Sequence, residues 1–136
     1  MPITPPPNDA CTREQLWQRE RALAEIGFVP DAADDRSYAA AFVGEGQRIY
    51  LKKTEELSIV LSPTSNPRRI AAAVEASGIE VNQAPYHNSS LASFPKRRNG
   101  GRGDEHYGTD VDFSTLEEMK SFLEAFAIRP AAPGPR

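Results

Sequence analysis

Residues 38–61 read YAAAFVGEGQRIYLKKTEELSIVL, and the way this stretch pairs with itself decides the fold. Tyr38 to Val43 reads as a strand that stops at Gly44-Glu45-Gly46. Arg48 to Lys52 resumes extended character beyond this glycine-rich turn, so a hairpin is the economical arrangement. Leu57 to Leu61 carries Ile59-Val60-Leu61 and ends at Ser62-Pro63. Three consecutive strands with short links predict an antiparallel meander.

Helices flank the meander. Thr12 with Gln15 makes a capping box, Leu16, Leu23 and Ile26 recur near helical spacing, and Gly27 suits a C′ position, which predicts a helix over 13–26. Trp17, beside Leu16, is expected to anchor that helix on the sheet. Phe28-Val29 then leads through Pro30 into an Asp-rich stretch expected to be a loop. Asn66-Pro67 is a strong helix start, since Asn caps and Pro gives up a donor that would be orphaned anyway; this helix runs to about Ala76 and closes at Gly78. Ile79-Glu80-Val81 is expected as a short strand, followed by a long loop from Asn82 to Gly103. Val111 and Phe113 alternate with Asp110 and Asp112, the pattern of a strand with one buried face. Ser114 to Glu117 reads as a capping box, and Leu116, Met119, Phe122, Leu123 and Phe126 form the apolar stripe of a last helix. The fold class is α+β: an antiparallel sheet of about four to five strands with helices packed on one face.

The 136 residues fit one domain, expected over 12–128. Pro5-Pro6-Pro7 and the Pro130 to Arg136 stretch supply neither helix nor ladder donors, so residues 1–11 and 129–136 are expected as disordered tails. Cys11 is the single cysteine, which excludes an intramolecular disulfide and a Cys-based metal site. Residues 1–10 lack the plan of a signal peptide, and no window approaches the roughly 18 apolar residues of a membrane span, so a cytoplasmic protein without membrane contact is expected. Asn88-Ser89-Ser90 and Arg102-Gly103-Asp104 match motifs of secreted proteins and are taken as chance matches.

The formal charge of -3 conceals an asymmetry. The middle of the chain, residues 48 to 102, is basic, through Arg48, Lys52, Lys53, Arg68, Arg69, Lys96, Arg97, Arg98 and Arg102. Residues 103 to 126 are acidic, through Asp104, Glu105, Asp110, Asp112, Glu117, Glu118 and Glu124.

Long segments without structure of their own are usually functional or disordered, so the stretch after Asn82 is where a site is expected. Tyr86, Phe94, Lys96, Arg97, Arg98, Arg102, His106 and Tyr107 interleave rings with cations, a composition that attracts phosphate and stacks bases. This suggests a noncatalytic binding module that recognises nucleic acid or another polyanion. The alternative partner is a basic protein, met by the acidic segment in the manner of an inhibitor or immunity protein. A catalytic use of His87 or His106 with Ser89 or Ser90 lacks any supporting motif, and an Asp104, Glu105, His106 metal site is disfavoured because adjacent residues of an extended segment face opposite ways. No catalytic residue, metal or cofactor is expected, and nothing in the sequence fixes the oligomeric state.

Gly27-Phe28 after a first helix, Tyr50 in a hairpin, Ile59-Val60 before Ser62-Pro63, and Phe94-Pro95 followed by His106-Tyr107-Gly108 and a capped helix together resemble a family of small bacterial proteins of unknown function found in enterobacteria. The resemblance covers about residues 13 to 126 and implies a bacterial cytosolic domain, with no mechanism attached.

Overall fold

The computed structural model describes residues 10–98 and 103–128; the segments 1–9 and 129–136, expected as tails, and Arg102 lie outside them. Among the described residues three helices, α1 (Arg13–Glu25), α2 (Pro67–Ser77) and α3 (Leu116–Ala127), accompany seven strands: β1 (Val29–Asp35), β2 (Ala39–Gly44), β3 (Gln47–Lys52), β4 (Leu57–Leu61), β5 (Tyr86–His87), β6 (Lys96–Arg98) and β7 (Asp104–Phe113). The α+β class holds, with more strands than the four to five expected. Every pairing is antiparallel, in the order β1-β2-β3-β4-β7-β5, with β6 also on β7.

The expected hairpin and third strand are β2, β3 and β4, with Ala41 opposite Tyr50 and Tyr50 opposite Val60. A fourth strand precedes them. The Asp-rich stretch expected as a loop is β1, joined to β2 at Val29–Val43 and Asp35–Ala40 with a bulge between. Its place at the sheet's edge accounts for this, because an edge strand tolerates Pro30 and solvated carboxylates that a central strand would not. Ile79–Val81, expected as a strand, forms none; Ile79 and Val81 pack instead against the main core.

Side chains alternate across the sheet and build two cores. Phe42, Ile49, Leu51, Ile59, Leu61, Val111 and Phe113 meet Leu23 of α1, Ala73 of α2, and Met119, Phe122, Leu123 and Phe126 of α3 on the helix face. Ala39, Ala41, Tyr50 and Val60 point the other way, where Leu91 and Phe94 cover them. Arg19 locks α1 to the β3–β4 turn, donating to the Thr54 and Glu55 carbonyls, both at 2.6 Å, and burial pushes its guanidinium pKa down. Arg69 joins α2 to the end of α3 by donating to the carbonyls of Phe126 (2.9 Å) and Ala127 (2.8 Å).

Three local expectations need correcting. Trp17 does not anchor α1: it is 50% exposed, because Ala22 and Leu23 occupy the face turned to the core. The last helix is capped one residue later than expected, by Thr115 with Glu118, and the Glu118 carboxylate also accepts from the Ser114 amide. Ala10 and Cys11, counted with the tail, are held by a bridge to Thr54 and by a hydrogen bond from the Cys11 amide to Lys53 O at 2.9 Å.

Gly108 is the tightest point of the fold. A Cβ there would lie 2.5 Å from Val60 Cγ1 and 2.6 Å from the Leu61 carbonyl oxygen, with the Phe94 ring at 3.1 Å. Gly108→Ala is expected to destabilise the protein by about 1–3 kcal/mol, the usual range for overpacking, since the carbonyl belongs to a paired strand and cannot move alone. Urea unfolding of the variant measures it.

Candidate functional site

The stretch expected as one long loop contains β5 and β6, both organised by β7, which begins at Asp104 rather than near Val111. The His106 carbonyl accepts from the Asn88 amide, while the neighbouring Tyr107 amide donates to Pro95 O. Successive residues of a strand turn their polar groups to opposite edges, so β5 and β6 flank β7 on either side. Residues 88–95 must therefore cross the sheet over the face that carries no helix. Leu91 and Phe94 are the residues that bury themselves during the crossing.

This crossing redistributes the expected ligand-binding residues. Phe94 is not a surface ring: it is 5% exposed, set edge-on against Tyr50 with ring centroids 4.8 Å apart. His106 Nδ1 lies 2.6 Å from the Phe94 carbonyl and must donate, since a carbonyl oxygen only accepts. Tyr86 is half-buried and stacks over Lys52 Nζ, 3.8 Å from the ring centroid. His106→Ala is expected to lower stability by about 0.5–1.5 kcal/mol, the net value of one hydrogen bond, with the loss visible as a lower Tm.

Lys96, Arg97 and Arg98 of β6 are all exposed. Their register places them opposite His106, Glu105 and Asp104 respectively. Arg97 shares its side of the strand pair with Tyr107 and lies over that ring at 5.4 Å, and His87, opposite Tyr107 in the next strand, has its ring 6.0 Å away. His106 points to the other face, toward Phe94. The two histidines, one on β5 and one on β7, thus stand on opposite faces of the sheet and do not share a site. Among the described residues no group of three His, Cys, Asp or Glu side chains is arranged to hold a metal.

A second feature escaped the sequence reading. Asp34 sits at the bulged end of β1 with 8% of its side chain exposed. Its Oδ2 accepts from the Tyr50 hydroxyl in a short hydrogen bond, from Ser93 Oγ at 2.7 Å and from Arg48 NH1 at 3.2 Å. Arg48 also reaches Asp31 at 2.7 Å, and Arg36 Nε approaches Asp34 Oδ1 to 3.6 Å. The Asp31 contact raises the Arg48 pKa, while burial and the bond to Asp34 push the Tyr50 phenol up. Arg48, Ser93 and Phe94 border a cleft of 410 Å³ whose far wall is Ser62, Thr64 and Asn66, at the start of α2. Nothing local marks Asp34 out in the sequence, because its hydrogen-bond partners lie 14, 16 and 59 residues away.

The acidic segment is divided among internal tasks. Asp110 pairs with Lys52 at 2.7 Å, and Asn82 bridges Asp110 and Asp112. Glu118 caps α3, and Glu117 pairs with Lys120. Glu56 meets Asp112: the hydrogen bond between them, reinforced by burial, raises the Glu56 pKa. Burial pushes Asp112 upward too, but hydrogen bonds from Ser58, Glu56 and Asn82, together with Lys52, outweigh it and hold Asp112 below its ordinary value. Folding therefore favours a protonated Glu56, a contribution present below the unfolded pKa and lost as pH rises through the raised folded value. The Asp112 contribution has the opposite sense, present above its unfolded pKa and lost as pH falls through the folded one. Glu56→Gln keeps the protonated shape at every pH, so its stability relative to wild type is expected to grow as pH climbs through the Glu56 titration. A difference independent of pH in urea unfolding would show that the two carboxyl groups do not share a proton.

No helix among the described residues is long and apolar enough to cross a membrane. No family model, curated protein or solved structure matches the chain.

Proposed function

We propose that this protein is a noncatalytic module that binds a polyanion, with nucleic acid as the favoured class, through the exposed strand β6. One observation carries this reading: the cations elsewhere on the sheet are engaged internally, whereas those of β6 are presented to solvent. Arg48 and Lys52 are paired with Asp31, Asp34 and Asp110, and Lys53, which follows β3, is paired with Asp35. Lys96 and Arg98 have no ion pair among the described residues and lie exposed on the face of the strand opposite to that of Arg97. Tyr107, beneath Arg97, offers a ring on which a base can stack. Phe94 and His106 support this strand from behind rather than contact the ligand.

The test is binding of a single-stranded oligonucleotide, followed by fluorescence anisotropy across a salt series. Alanine at Lys96, Arg97 and Arg98 together should weaken binding and flatten its salt dependence, because each lost phosphate contact on a single strand removes about 0.7 from the slope of log K against log salt. No detectable binding by the wild type at low salt would remove this proposal. Pull-down from lysate with and without nuclease separates it from a protein partner, which alone survives the nuclease.

A further inference from the structure

β4 leaves the sheet at Leu61 for α2, and β6 takes up the same edge of β7 further along, since β5 holds the other edge. The 410 Å³ cleft beside Arg48 lies where β4 departs. Its walls are the start of β3, the 62–66 connection, Arg69 in the first turn of α2, and Ser93-Phe94 ahead of β6. Two guanidinium groups line it and no carboxylate does. Asp31 and Asp34 already compensate Arg48. Arg69 has no carboxylate partner among the described residues. Its NH1 donates to the carbonyls of Phe126, Ala127 and Ile128, and its Nε and NH2 keep their donors for a ligand.

The polar wall facing Arg48 adds further donors. Ser62 and Thr64 share one hydrogen bond between their hydroxyls at 2.8 Å, and Ser62 Oγ also accepts from the Thr64 amide at 3.2 Å. Two hydroxyl protons serve that single bond, so one of them remains for a ligand whichever way the bond runs. Ser65 brings another hydroxyl, and Asn66 brings its side-chain amino group, since its Oδ1 accepts from the Arg68 amide at 2.9 Å. The amides of the first turn of α2 are not in this set: Asn66 takes those of Arg68, Arg69 and Ile70. Side-chain donors thus surround one uncompensated positive charge. A phosphate monoester meets them, because it carries about two negative charges and three acceptor oxygens and pairs bidentately with a guanidinium. A carboxylate brings two oxygens and one charge, and leaves part of the donor set unmet. The cleft has the volume of a small-ligand site, about 300–1,000 Å³, so an organic group fits beside the phosphate.

We propose that the cleft between β3, the start of α2 and Ser93-Phe94 binds a phosphate monoester, with Arg69 as the charged anchor and the Thr64 and Ser65 hydroxyls on the terminal oxygens. The ester is carried either by a small free molecule or by the end of a nucleic-acid strand, and two probes distinguish these. Phenyl phosphate, and one oligonucleotide with and without a terminal phosphate, are titrated into the isotope-labelled full chain at constant ionic strength and followed by amide chemical shifts. Saturable shifts of residues 62–69 with phenyl phosphate assign a free ester. A gain in affinity for the phosphorylated strand over the unphosphorylated one assigns a strand end. Thr64→Val together with Ser65→Ala should weaken the response by about tenfold for each hydroxyl bond lost, at the Tm of the wild type. Arg69→Gln, read beside its own Tm, should remove it. Alanine at Lys96, Arg97 and Arg98 together should leave phenyl phosphate binding unchanged, so this site and the β6 reading fail separately. Absence of both responses, or a response undiminished in the folded Thr64→Val, Ser65→Ala variant, would overturn the proposal.

Discussion

Asp34→Ala is expected to cost about 3–5 kcal/mol, the usual consequence of removing one partner from a buried charged network. The carboxylate is the common acceptor for the Tyr50 hydroxyl, Ser93 Oγ and Arg48. Its loss leaves the Tyr50 phenol, at the centre of the sheet's open face, without an acceptor, and leaves Arg48 with Asp31 alone. The crossing segment loses its tie to β1 at the same time, since Ser93 also donates its amide to the Tyr50 hydroxyl at 2.9 Å. Asp34→Asn keeps the shape and one acceptor oxygen, so it should cost less than alanine. Urea unfolding and Tm measure both variants. A loss near 0.5 kcal/mol for alanine, the range of an ordinary surface substitution, would mean that the network contributes no net stability.

Phe94→Ala is expected to have a comparable effect, about 3–5 kcal/mol for truncating a buried phenylalanine. The ring fills the space over Gly108 and packs edge-on against Tyr50, and its backbone carbonyl is the acceptor for His106. Phe94→Leu retains most of the buried surface and should lose far less. The pair of variants also separates a core role from a ligand contact. Were Phe94 a stacking platform for a base, alanine would abolish oligonucleotide binding at nearly unchanged Tm. With Phe94 in the core, the main change is in Tm, and oligonucleotide binding falls only as far as β6 loses its support.

The two substitutions act on one structural device. Residues 88–95 carry the chain from one edge of β7 to the other across the open face, and they are held by Leu91 and Phe94 below, Asp34 and Tyr50 ahead, and His106 behind. That crossing delivers Lys96, Arg97 and Arg98 to the outer part of β7 as a strand rather than as free loop. If β6 binds a polyanion as proposed, failure of the crossing should weaken that binding through misplacement of the three cations.

The sequence by itself determined the elements whose signals are local. The Gly44-Glu45-Gly46 turn sets the β2–β3 hairpin, the Asn66-Pro67 start and Gly78 stop bound α2, and the apolar stripe from Leu116 to Phe126 gives α3, because each depends on residues a few positions apart. The cation cluster of β6 was legible as composition. Tertiary structure alone decided what those residues do. Val29–Asp35 is a strand only because β2 offers it an edge, and Tyr86–His87 and Lys96–Arg98 are strands only because β7 extends beyond β4. Phe94 could be told from a surface ring only by the burial it gains over Gly108, and Asp34 from a solvated loop carboxylate only by partners up to 59 residues away. Pairing and burial at such separations leave no periodic trace in the chain, since the energy that fixes them appears only when distant segments exclude water together.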